Sequence, residues 1–224
     1  MILANKINIV FLFCHILLAG LCCSAVAKEY SSSDKSANKK HEQSHVDHDM
    51  HAGHRAAIKS AKYVISRENY SLPDVELITS EGKITNLNSL LDTNKPMALN
   101  FIFTTCTTIC PVMTATFAQM RATLGDSAKN LRMISITIDP EYDRPRRLKK
   151  YSDNFNSGYD WIFLTGASSD ISKVTRSFDA YNGSKMNHKP LTLLRKSNDE
   201  KWIRVDGLIN SSSLAKLINE HLLD

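Results

Sequence analysis

The chain has 224 residues, of which 42% are hydrophobic and 23% charged, with a formal net charge of +5 at pH 7. That much apolar material supports one well-packed domain with appendages and excludes a wholly disordered or fibrous chain. The basic residues Arg144, Arg146, Arg147, Lys149 and Lys150 fall on one expected helix without interleaved aromatics, the pattern of a solvated helix face and not of a nucleic-acid surface.

In chain order, Lys6 precedes an almost unbroken apolar run over residues 7–21, and Ala25-Val26-Ala27 comes just before polarity rises at Lys28. This predicts a secretory signal peptide over residues 1–27, cleaved after Ala27. The run is also nearly long enough to span a bilayer, which makes an uncleaved N-terminal membrane anchor the alternative. On either reading the remainder is exported, to the periplasm in a bacterium, as a soluble or inner-membrane-tethered protein. Residues 28–63 are rich in Ser, Lys, Asn, His and Ala and too poor in large apolar residues to offset the entropy of ordering, so a flexible tether is expected there. Within it His41, His45, His48, His51 and His54 recur every three or four residues, among Met50, Glu42, Asp47 and Asp49. Such a tract reads as an auxiliary capture site for copper or zinc.

Residues 64–224 carry the folded domain. Residues 75–78 and 83–85 read as a hairpin around Ser80-Glu81-Gly82, followed by a short helical turn over Leu87–Leu91. Residues 97–103 form a buried strand. Pro111 at a first helical position, with Met113, Phe117, Met120 and Leu124 at helical spacing, predicts a helix ending near Gly125. A second central strand follows over 131–138, then a helix over 145–155, a strand over 161–164 and a helix over 169–178. Leu191–Arg195 and residues 202–205 form a hairpin, and residues 212–223 an amphipathic closing helix. Strands alternating with helices, then a terminal hairpin and helix, predict an α/β sandwich with a mixed central β-sheet flanked by helices, the thioredoxin-like arrangement.

Of five cysteines, Cys14, Cys22 and Cys23 lie in the targeting segment, which leaves Cys106 and Cys110 for the mature chain. A disulfide between them closes too short a loop to brace a large domain, so the pair points to function. With Pro111 opening the helix, Cys110 is expected at its cap and Cys106 in the loop before it. Both sulfurs would then sit at the positive end of the helix dipole, which favours thiolates. Thioredoxin-type oxidoreductases place two residues between their cysteines; here there are three, Thr107, Thr108 and Ile109. Such a loop can close a disulfide or place two thiolates on one ion. Two soft sulfurs select Cu(I), and an added imidazole lets a site hold Cu(II) as well.

Three ordered motifs carry a resemblance. Phe101-Ile102-Phe103-Thr104-Thr105-Cys106 runs on to Cys110-Pro111; Ile134 to Pro145, through Asp139-Pro140-Glu141-Tyr142-Asp143, is followed by Leu148-Lys149-Lys150-Tyr151; and His188 precedes a strand hairpin. Together they resemble the Sco/SenC family over about residues 70–223. The resemblance implies a thioredoxin-like fold and a mononuclear copper site, Cu(I) and/or Cu(II), with Cys106, Cys110 and His188 as ligands. It also implies a part in assembling the CuA centre of cytochrome c oxidase subunit II, as copper donor, as reductant of that subunit's cysteines, or as both. The chain departs from the usual pattern at Thr107-Thr108-Ile109, where the family has Pro-Asp-Val, and at Asn187-His188, where it has Asp-His. The loss of an aspartate beside the ligand alters the local charge. Met186 is a candidate fourth soft ligand, Asp139 reads as a strand end, and His221 as a surface residue.

Two functions of different class remain. One is a metallochaperone serving cytochrome c oxidase subunit II or another exported copper protein. The other is a thiol-disulfide oxidoreductase that cycles Cys106 and Cys110 against a thiol reductant partner, with copper incidental. A peroxide-reducing relative would carry a Pro-x-x-x-Thr-x-x-Cys setting that this chain lacks.

Overall fold

The computed structural model of the chain describes residues 63–158, 160–181, 183–198 and 201–223. The expected targeting segment over 1–27 and the His-rich tract lie outside the described residues. Among the described residues there are eight strands, β1 (Tyr63–Glu68), β2 (Glu76–Thr79), β3 (Ile84–Asn86), β4 (Met97–Ile102), β5 (Arg132–Thr137), β6 (Trp161–Gly166), β7 (Leu191–Arg195) and β8 (Trp202–Gly207). They form one sheet in the order β1-β8-β7-β4-β5-β6-β2-β3. The described residues also form the α-helices α1 (Leu87–Leu91), α2 (Ile109–Leu124), α3 (Pro145–Asp153), α4 (Ser168–Ser177) and α5 (Ser211–Ile218). The sheet is mixed, with β4, β5 and β6 parallel and the other pairings antiparallel. This is the expected sandwich.

Every residue of β4 is buried, because the strand lies in the middle of a sheet covered on both faces. Side chains alternate across a strand, so Ala98 and Ile102 enter one core while Met97, Leu99 and Phe101 enter the other. The first core is closed by α2, α3 and α5 through Phe117, Met120, Leu148, Leu214 and Ile218. The second is closed by α1 and α4 through Leu87, Leu91, Ile171 and Val174. The crossovers β4–α2–β5 and β5–α3–β6 both pack on the first face, as consecutive parallel strands with like-handed connections require. At the β2–β6 pairing Leu77 lies opposite Gly166, and a Cβ at Gly166 would come within 2.9 Å of Leu77 Cδ2. A side chain at position 166 would have to displace the end of the Leu77 side chain. Among the described residues no helix is long and apolar enough to cross a membrane.

The main departures from the expected elements lie at β1, at the start of α2, at the end of α3 and in the closing helix. Strand β1 was not expected; it pairs with β8 along its whole length and begins at Tyr63, the last residue assigned to the tether. It is an edge strand with Val64 67% and Ile65 45% exposed, so backbone pairing and not apolar alternation makes it. Helix α2 begins at Ile109, which puts Cys110 second and Pro111 third in the helix instead of cap and first residue. Proline is tolerated there because the first turn's N–H groups have no intrahelical acceptor. Helix α3 ends at Asp153, two residues early, and the closing helix passes at Asn219 into a π-helical turn that carries the exposed His221.

One polar network is buried inside the first core. The Ser135 hydroxyl donates to Asn100 Oδ1 at 2.6 Å and accepts from Trp161 Nε1–H at 2.9 Å, joining β4, β5 and β6. Replacing Ser135 with Ala strands both partners away from water and should cost about 1–3 kcal/mol. Urea unfolding of S135A against the parent chain measures it; a loss well under that range would show that the network is dispensable.

Candidate metal centre

The candidate residues converge at the carboxyl ends of the parallel strands, where open α/β sheets commonly bind ligands. Strand β4 ends at Ile102 and runs into the loop carrying Cys106, and that loop feeds α2. Ile138 N–H donates to Ile102 O at 2.8 Å, so β5 ends beside it. His188 arrives from the loop between α4 and β7, at the end of a 3-10 turn over Lys185–Asn187.

The two thiols are unbridged and unlike. Cys106 is partly exposed and its Sγ accepts the Cys110 N–H at 3.4 Å, with the Thr108 hydroxyl 3.6 Å away. Thr108, the N-cap residue, makes no side-chain cap bond. The Cys106 sulfur therefore serves as acceptor for the first turn of α2. Partial burial pulls the Cys106 thiol up, but hydrogen bonds from the Cys110 and Thr108 N–H groups and the Thr108 hydroxyl outweigh it, and the net shift is below an ordinary thiol. Cys110 is fully buried in the first core. Burial pushes its thiol strongly up, and the neighbouring Cys106 and Asp143 add to that. The expectation that the helix dipole makes thiolates of both cysteines is thus corrected: a dipole acting on a sulfur removed from water does not offset the loss of hydration.

His188 is buried, 8% exposed. Its Nε2 lies 3.0 Å from Phe101 O, an acceptor, so Nε2 carries the proton and donates. That tautomer leaves a lone pair on Nδ1, which is buried and has no hydrogen-bond partner among the described residues. Burial lowers the imidazole's pKa, with the Phe101 bond acting against it, and the ring packs edge-to-face on Phe103 at 6.4 Å. Its loop is held by the Lys185–Asp139 ion pair at 2.6 Å. Asp139 is therefore engaged as a carboxylate partner at the end of β5, and the exposed side chain of Met186 stands at the cleft mouth.

Cys106 and His188 line one cleft of about 190 Å³ together with Phe103, Thr108, Ile109 and Met186. Cys110 lies behind Cys106 and does not line it. Among the described residues no three His, Cys, Asp or Glu side chains are gathered where one metal ion could be held. The structure brings the sulfurs and the imidazole into one region without closing them into a ligand set. A second cavity, of about 280 Å³, lies on the α4 side and shares His188 and Lys185 with the cleft.

Asp143 has no role in the sequence reading although it stands in a quoted motif. Its fully buried carboxylate accepts from Thr104 N–H at 2.9 Å, from the Thr104 hydroxyl and from the Thr137 hydroxyl at 2.6 Å. Among the described residues no ion pair reaches it. The available signal was an acid in a loop with hydroxyl residues at both neighbouring strand ends, which is too common to stand out.

A family model for SCO1/SenC matches residues 68–220. The chain belongs to the SCO1/SenC family. A SCO1 protein homolog of Bacillus subtilis is 38% identical over 115 residues, covering 50% of this chain and 58% of the relative. This chain thus spans little more than half of that relative's length. SCO1/SenC structures share its thioredoxin-like fold. BsSco, described as a member of the Sco family of cytochrome c oxidase assembly proteins with a disulfide switch, is 29% identical with a TM-score of 0.54, over 70% of this chain and 96% of BsSco. Bradyrhizobium japonicum ScoI, solved with copper bound, is 23% identical with a TM-score of 0.57, over 68% of this chain and 100% of ScoI.

The cysteine asymmetry has a direct readout. With limiting iodoacetamide at neutral pH, mass spectrometry should find Cys106 alkylated at least about tenfold faster than Cys110; equal rates would contradict the burial of Cys110. The His188 shift predicts a pH effect. Because the folded pKa is depressed, the unfolded chain binds the proton more readily, so stability present near neutral pH is lost as pH falls through the unfolded value of about 6.5. His188→Gln should flatten that part of the stability-versus-pH curve, measured by urea unfolding between neutral pH and pH 5.

Proposed function

We propose that the chain is an exported copper-binding protein that acts in assembling a copper centre, first of all the CuA site of cytochrome c oxidase subunit II. The observation that carries this reading is the buried Nδ1 of His188, without a partner among the described residues, on the wall of the cleft that holds the Cys106 sulfur. A buried acceptor without a donor is costly, and a metal ion satisfies it. Cys106, Cys110 and His188 would hold the ion. Copper is the cargo: two thiolates select Cu(I), and the imidazole admits Cu(II). Binding takes the proton from Cys110, so uptake releases protons and favours higher pH. The copper-bound ScoI and the oxidase-assembly description of BsSco support the same assignment.

In this reading residues 1–27 are the signal peptide or anchor, 28–63 the tether, and 64–224 the copper-binding domain. His41, His45, His48, His51 and His54 of the tether capture copper for that domain. The partner is subunit II or another exported copper protein, met outside the cytoplasm.

The same cysteines support a second activity. A partly exposed sulfur with lowered pKa beside a buried thiol is the pairing of an attacking and a resolving cysteine. Thiol reduction of the client's cysteines, with a separate thiol reductant restoring the pair, follows from it.

Anaerobic Cu(I) titration of the reduced chain lacking residues 28–54, beside its His188→Ala variant, tests the site. One Cu(I) per chain is expected, with affinity reduced in the variant by more than the roughly 10- to 100-fold loss typical of an outer-sphere change. Equal affinities would sink the three-residue site. In the chain that retains the tract, copper should bind beyond one equivalent.

A further inference from the structure

We propose that Asp143 is the positioning residue of the cysteine pair: its buried carboxylate, bonded to Thr104 and Thr137, fixes the loop that sets Cys106 against Cys110. The inference rests on the reading that these two sulfurs act as a pair.

Thr104 is held twice by Asp143, through its N–H and through its hydroxyl. Only Thr105 separates it from Cys106, whose own N–H donates back to Phe103 O at 3.2 Å. Residues 103–106 are therefore a turn pinned at its second residue. On the other side Thr137 ends β5, and its hydroxyl also accepts the Asp139 N–H at 3.0 Å. The Asp143 N–H donates to Asp139 O at 2.8 Å. One carboxylate thus ties the segment after β4 to the segment after β5, two residues before α3 begins.

A fully buried carboxylate that no ion pair reaches among the described residues costs free energy to desolvate. Its return is geometric, since hydrogen bonds to a charged acceptor are shorter and stronger than neutral ones. A pinned loop raises the effective concentration of one sulfur at the other. It should therefore favour the disulfide over the dithiol.

The measurement is thiol-disulfide equilibrium of the copper-free chain against the oxidised and reduced forms of dithiothreitol. Oxidation joins the Sγ atoms of Cys106 and Cys110, and the two electrons and two protons reduce one molecule of the cyclic disulfide. Asp143→Ala should lower the equilibrium constant for disulfide formation at least about tenfold, about 30 mV for this two-electron couple. Asp143→Asn, which keeps an acceptor oxygen for the Thr104 N–H, should restore most of the loss. Ser135→Ala, a buried polar deletion in the same sheet away from the loop, should stay within about twofold of the parent chain. A shift in Asp143→Ala no larger than in Ser135→Ala would overturn the proposal. Thr104→Ala removes a single hydroxyl donor and decides the question in the same direction if Asp143→Ala does not fold. Should the parent chain form no Cys106–Cys110 disulfide, the pairing and the clamp fall together. Should it form one, yet bind no Cu(I), the copper reading falls and the clamp is judged on the variants alone.

Discussion

A fully buried carboxylate held by threonine hydrogen bonds is the constraint on which the site depends. Asp143 is fully buried and, among the described residues, its carboxylate is held by two threonines, one just after β4 and one at the end of β5. Those strands are the parallel centre of the sheet, and their carboxyl ends are where both candidate chemistries converge. The sheet supplies rigidity through strands buried on both faces. The carboxylate converts that rigidity into a defined loop, because charge-assisted hydrogen bonds tolerate less misalignment than apolar contacts do.

From that loop follows an unequal pair of sulfurs. Cys106 stays within reach of solvent and is favoured as thiolate by the first N–H groups of α2, while Cys110 sits inside the core as a thiol. Inequality of this kind suits both proposed activities. A metal needs one ligand ready and can take the proton from the next, and an exchange reaction needs one sulfur that attacks and one that waits. His188 adds a neutral nitrogen whose tautomer is set by a backbone carbonyl, so its lone pair is available without competition from protons at neutral pH.

Much of this was legible in the residues. The apolar run into Cys106 was readable as a buried strand because a strand covered on both faces needs no alternation, and β4 is such a strand. Helices α2, α3 and α4 and the β7–β8 hairpin were marked by periodicity and by their turn residues. Strand β1 was not readable: an edge strand with Val64 and Ile65 turned to solvent leaves no period-two signal, and it is held mainly by backbone pairing to β8. The environment of Cys110 was also hidden. Position in sequence located it near a helix start, but whether it faces water or Phe117 and Leu148 depends on where α2 begins, and Pro111 fitted the third residue as well as the first. Asp143 needed the third dimension, since its partners lie 39 and 6 residues away.

The Cys106 sulfur also stands where a helix cap would normally be. Thr108 leaves that place empty, and the Cys110 N–H turns to sulfur instead. A cap of the ordinary kind contributes about 0.5–2 kcal/mol to its helix. Any bond that Cys106 makes to a second sulfur or to a metal changes its capacity to accept that hydrogen bond. The stability of α2 and the chemical state of the sulfur are then two sides of one thermodynamic cycle, and each must report on the other.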